Sequence, residues 1–106
     1  MGALGTEFKY GIRMKPIGDI HLENCDFEIT NYVFENRSVT YRKGDAIHVK
    51  KIDKDSYKIV VYAEDSIKIG KGKVKAKITI RIPDSDYEDG FRTEIYDRLC
   101  TGETIT

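Results

Sequence analysis

The strongest order in the chain is an alternation of apolar and polar residues from Lys73 to Ile82. Val74, Ala76, Ile78, Ile80 and Ile82 fall on one side, and Lys73, Lys75, Lys77, Thr79 and Arg81 on the other. A period of two describes a strand with one face on a core and one in water; a helix would scatter the same residues around its axis. Tyr57–Ala63 repeats the pattern, with Tyr57, Ile59, Val61 and Ala63 opposite Lys58, Val60 and Tyr62. Its β-branched and aromatic composition suits a strand. Asp53-Lys54-Asp55-Ser56 is turn chemistry and predicts a hairpin back to a strand over Ala46–Ile52.

Shorter signals complete the series. Arg37–Arg42 predicts a strand that Lys43-Gly44-Asp45 breaks from the next, and Gly70-Lys71-Gly72 separates a short strand-like run, Ser66–Ile69, from the lysine strand. Ile20 and Leu22 set one parity, whereas Cys25, Phe27 and Ile29 follow the other. That slip predicts a bulge near Asn24 or two strands meeting at a corner. Thr93–Leu99 reads as a last strand, although Ile95 and Leu99 would also suit one helical turn. No stretch sustains the i, i+3, i+4, i+7 pattern of a long helix. The expected fold is all-β, an antiparallel β-sandwich of about seven to eight short strands, immunoglobulin-like or jelly-roll-like, with a small barrel as the alternative.

A length of 106 residues makes room for one domain. The opening MGALGTEFKYGIR holds three of the nine glycines and no sustained alternation, and Gly5-Thr6-Glu7-Phe8 is what two adjacent cloning sites would encode. Residues 1–13 are therefore expected to be a flexible arm or vector-derived segment, or an arm that adds a strand to a neighbouring subunit. Residues 14–106 are expected to form the single sandwich domain. Eighteen Lys and Arg balance eighteen Asp and Glu, so no global charge steers the chain toward nucleic acid or an anionic membrane. No apolar run approaches a membrane span, and no export signal opens the chain. No compartment is assigned on these grounds.

Candidate chemistry is sparse. Cys25 and Cys100 are too few for a disulfide framework; two separate thiols are expected, with a bridge between terminal strands as the alternative. The acidic loop Asp84–Asp89 could gather oxygen ligands around calcium, but the sixth position from Asp84 is Asp89 instead of glycine and the twelfth is Ile95 instead of glutamate. A solvated turn is the expectation, with no metal and no cofactor. Lys73, Lys75 and Lys77 recur at about 6.8 Å along one strand face, with Arg81 farther along, a spacing that can follow phosphates. Lysines also protect an exposed strand from pairing with other chains, and no aromatic alternates with these. His21 and His48 sit in strand patterns without a local Ser or Cys motif, so no catalytic residue is assigned and no enzyme is expected. Asn36-Arg37-Ser38 fits a glycosylation sequon by chance.

Two stretches carry a likeness. Gly70 and Gly72 lead into a long strand, Ile82-Pro83-Asp84 opens a loop closing at Asp89-Gly90, and the last strand ends in Thr101-Gly102. This run to Ile105 resembles a pattern in phage and prophage structural proteins of gut Bacteroidetes. TYRKGDAIHV, ending at Val49, looks like the hairpin that opens the amino-terminal sandwich of baseplate upper proteins. The resemblance covers about a third to two-fifths of the chain and rests on turn chemistry. It implies a domain that anchors a tail fibre or receptor-binding protein to a baseplate, in a virion, with no catalytic residues to carry over. The expected function is thus a non-catalytic structural or interaction module with a protein partner or homo-oligomer. The alternatives are a nucleic-acid-binding barrel using the Lys73–Arg81 strand and a secreted carbohydrate-binding sandwich.

Overall fold

The alternation read at Lys73–Ile82 builds β6 (Gly72–Pro83), whose Val74, Ala76, Ile78, Ile80 and Ile82 all point into the core. The structure, a computed structural model, describes residues 5–106. The remaining elements are β1 (Phe8–Arg13), a 3-10 turn (Leu22–Asn24), β2 (Asp26–Phe34), β3 (Arg37–Arg42), β4 (Val49–Asp53), β5 (Ser56–Val61), α1 (Ala63–Ile69) and β7 (Phe91–Ile105). Among the described residues seven strands form two antiparallel sheets, ordered β1-β5-β4 and β3-β2-β6-β7. The fold is the all-β sandwich, its two sheets hydrogen-bonded separately rather than closed into one barrel.

Alternation decides the inner faces. Phe27 and Ile29 of β2 and the odd-numbered Tyr57, Ile59 and Val61 of β5 meet the β6 row in one core, joined by Leu22, Val49, Ile69 and Ile105. Phe27 meets Tyr57 edge-on with ring centroids 5.1 Å apart. Each fully buried aliphatic in this set contributes about 1.5–3 kcal/mol, which is why one parity per strand suffices to hold two sheets together. One polar link crosses the core: the Tyr10 hydroxyl of β1 donates to Oδ1 of the fully buried Asn31 on β2, whose Nδ2 reaches Val39 O at 3.4 Å.

Five expectations change. Phe8–Arg13, left outside the domain by the sequence reading, is β1 and pairs with β5 from Phe8↔Val61 to Arg13↔Ser56. Phe8, Tyr10 and Ile12 pack against the core. The part of the expected arm at residues 1–4 lies outside the described residues. Ser66–Ile69 is the end of α1, not a strand. Glu64 and Asp65 stand in its first turn and Lys68 in its last, as the helix dipole favours, and Gly70 ends it at φ 93°. Arg37 donates from Nε to Lys68 O and from Nη2 to Ile67 O, satisfying carbonyls that a helix end leaves open. Tyr57–Ala63 consequently stops pairing at Val61, because Tyr62 O accepts from Asp65 N and Ser66 N. The strand expected over Ala46–Ile52 begins at Val49, since Asp45 folds the preceding residues: its carboxylate accepts from Ile47 N and its carbonyl from Val49 N. The parity slip near Asn24 is a 3-10 turn, with Asn24 Oδ1 accepting from His21 N at 2.8 Å.

Candidate docking surface

The two sheets leave one side of the sandwich open. β1 ends the first sheet and β7 ends the second, and between them runs an apolar groove. A recess of about 350 Å³ is lined by Met14, Ile17, Ile78, Ile80, Ile82, Tyr96 and Leu99, with Arg13, Lys15 and Glu94 at its rim. It continues through Ile78 and Leu99 into a second recess of about 230 Å³ under Tyr10, Gly11 and Ile12. Alternation along β6 explains the floor: Ile78, Ile80 and Ile82 of its inward row form the buried base of the recess.

β7 explains the wall. Ala76 pairs with Leu99 and Ile78 with Tyr96, so Lys77 faces both Asp97 and Arg98. That extra residue is a bulge, with Arg98 at φ 56°. A second irregularity sits at Thr101–Glu103, where Gly102 has φ 79° and Thr101 Oγ1 donates to Val74 O at 2.8 Å. The bulges shift parity, so apolar side chains emerge on both faces of an edge strand: Ile95 is 59% exposed, Tyr96 46% and Leu99 37%. An edge with open backbone groups and uncovered apolar side chains is a template for another strand.

Across the sandwich, five side chains from separate segments tie the Asp45–His48 turn to α1. His48 stacks on Tyr41 at 4.0 Å and meets Tyr62 edge-on. Its Nδ1 lies 2.7 Å from Asp45 Oδ2 and its Nε2 3.6 Å from Asp65 Oδ2, which also accepts the Tyr41 hydroxyl at 2.5 Å. Burial, followed by the Asp65 hydrogen bond, pushes the Tyr41 phenol well above its ordinary range. The hydrogen bond from His48 holds the Asp45 carboxyl below its own. His21 pairs likewise with Asp55 at 2.9 Å.

The residues singled out in the sequence are dispersed. Lys73, Lys75, Lys77 and Arg81 do share the outer face of the second sheet, but β2 places Asp26 opposite Arg81, Thr30 opposite Lys77 and Tyr32 opposite Lys75. Asp97 stands beside Lys77 and accepts the Tyr32 hydroxyl at 2.7 Å. Among the described residues acids thus stand beside Lys77 and Arg81 but not beside Lys73 or Lys75, and Arg81 lies over the Phe91 ring at 4.4 Å. In the Asp84–Asp89 loop, Asp84 accepts from Asp86 N and Asp89 from Phe91 N, turn bonds that fix the hairpin. Among the described residues no group of three or more His, Cys, Asp or Glu side chains is placed to hold a metal ion. Cys25 is buried, Cys100 is exposed, and both thiols are free. Burial raises the Cys25 thiol pKa against the opposing pull of Lys43. No helix of the described chain is long and apolar enough to cross a membrane.

The groove is not legible in the sequence reading, which takes Thr93–Leu99 as a last strand by itself. Its signal was the adjacent apolar pairs Ile95-Tyr96 and Leu99-Cys100, which no regular half-buried strand carries. Comparisons with protein-family models, curated proteins and solved structures return no match.

Proposed function

We propose that this domain is a non-catalytic interaction module that receives an extended segment of a protein partner along the β1–β7 groove. The observation that carries the reading is the coincidence of a free, bulged edge strand with an apolar trough beside it. Backbone groups of β7 would supply the ladder, and the trough would take alternate apolar side chains of the added strand. Arg13 and Lys15 on one rim suit an acidic residue at the end of that strand. The turn pattern of the Gly70–Ile105 segment supports a phage tail or baseplate as the setting, where the partner is another structural protein of the particle.

Hydrogen exchange tests this. Recombinant chain is mixed with each structural protein encoded beside its gene, and the amides of Ile95–Leu99 are followed. Protection of these amides by one partner, abolished by Leu99→Lys with the fold intact, is the expected result. If every such protein leaves the β7 amides as open as in the isolated chain, the reading fails.

A further inference from the structure

We propose that the outer face of the first sheet docks the acidic β6–β7 loop of a second copy of this chain, giving a head-to-tail contact. Alternation sends Lys9, Gly11 and Arg13 of β1 outward, together with Lys58 of β5 and Lys50 of β4. Lys50 lies directly opposite Lys58 in the ladder. Gly11 lies opposite Lys58 on the other side, which places Lys9 and Arg13 diagonally, about 7–8 Å away. Lys9, Arg13 and Lys58 therefore border a position without a side chain, and Lys50 lies beyond Lys58 on β4. Above Gly11 only the Tyr57 carbonyl comes within reach of an added Cβ, at 4.0 Å. None of the four is in an ion pair among the described residues. The bounding acids are Glu7, before β1, and Asp53, at the end of β4; Asp53 feels Arg13 but is engaged first by the Asp55 N–H.

Like charges directly opposite on a sheet destabilise it, so this face works against the fold unless an anion covers it. The chain is electroneutral, so acids in excess must lie elsewhere. The Asp84–Asp89 loop carries four of them, Asp84, Asp86, Glu88 and Asp89; the one cation paired with these among the described residues is Arg92, 3.6 Å from Asp84. Asp86 and Glu88 are exposed and in no ion pair among the described residues. Each surface also presents one large apolar side chain, Ile52 at 61% exposure on the basic face and Tyr87 at 50% on the loop. The loop belongs to the second sheet and the cations to the outside of the first, so the two meet only between molecules. Such a heterologous contact leaves a free copy of each surface at either end and propagates. Arg13 and Gly11 also border the groove, but Lys50, Lys58, Asp86 and Glu88 do not, so variants at those positions test this contact apart from the function proposed above.

The experiment is sedimentation of the full chain over a concentration series at low salt and at about 0.5 M salt, where the screening length falls below the spacing of the charges. Wild type should associate at low salt and dissociate at high salt. Lys58→Glu should weaken association by roughly tenfold or more, as should Asp86→Lys with Glu88→Lys. Mixing those two variants should restore it, because each supplies the surface the other has reversed. Lys58→Glu pairs with Lys50, so it is expected to fold at least as well as wild type, checked by its melting curve. A chain that stays monomeric at low salt overturns the proposal. Association indifferent to salt and to both variants also overturns it and points to β7 pairing. Lys58→Glu that loses binding to short DNA duplexes while self-association is unchanged overturns it in favour of a polyanion.

Discussion

Removing one oxygen atom from Tyr10 tests whether residues 8–13 belong to the fold. The Tyr10 hydroxyl donates to Asn31 Oδ1 across the two sheets, and Asn31 is fully buried. Tyr10→Phe keeps the ring and strands Asn31 Oδ1 in the core, since the other bond of that side chain, from Nδ2 to Val39 O at 3.4 Å, satisfies the donor and not the acceptor. Leaving a buried acceptor unpaired costs about 1–3 kcal/mol. In a domain of this length that lowers Tm by about 4 °C for each kcal/mol. Urea unfolding followed by circular dichroism should show a lower midpoint with an unchanged slope. The second half of the test is the sign. In an Asn31→Leu background the same change should be neutral or stabilising, because the hydroxyl then has nothing to bond and its removal relieves an orphan donor. If Tyr10→Phe leaves the midpoint unchanged in the wild-type background, β1 does not cover Asn31 in solution, and the first sheet has two strands instead of three.

Three further outcomes follow from single features. Gly72 has φ 133°, and a Cβ there would stand 2.5 Å from Val33 Cγ1, so Gly72→Ala should cost about 1–3 kcal/mol by denaturant unfolding; a loss below the error of the midpoint would contradict the close approach of β6 to β2. A thiol reagent should titrate Cys100 at once and Cys25 only after unfolding, since Cys25 is buried and its pKa is raised by that burial; two fast thiols would refute the packing. Tyr10 and Tyr41 have phenol pKa values raised by burial from an unfolded value of 10.0. Above pH 10 the unfolded chain releases protons that the folded one retains, so the stability these groups contribute is intact below that pH and is lost progressively as pH rises from there toward the raised folded values. Phenolate absorbance should therefore appear in two stages, the later one together with loss of circular dichroism. Complete tyrosine titration in a still-folded protein would refute it.

How far the sequence speaks depends on what parity can carry. Val74 to Ile82 were legible because five inward residues at a strict period of two admit one reading, and the structure buries all five. Ser66–Ile69 misled for the opposite reason: α1 has seven residues, too few for a 3.6 period to separate from a period of two, and its decisive signals were the acids at its start and Gly70 at its end. β1 was hidden by its setting: the glycines and the Gly5-Thr6-Glu7-Phe8 stretch read as an arm, although Phe8, Tyr10 and Ile12 alternate with Lys9, Gly11 and Arg13 and pack half-buried against the core. The groove failed differently again. Parity assumes one face per strand, and the bulge at Asp97–Arg98 resets it midway, so Tyr96 and Leu99 face the trough although three positions separate them. Alternation assigns each residue an inside or an outside but says nothing about which outsides become neighbours. The β6 lysines, conspicuous in one segment, lie beside Thr30 and Tyr32 of β2 and Asp97 of β7, while Lys9, Lys50 and Lys58, unremarkable in three segments, are brought together by β5 at the centre of its sheet. Charge clusters in a sandwich are therefore a property of strand order, and strand order is what a list of strands leaves undetermined.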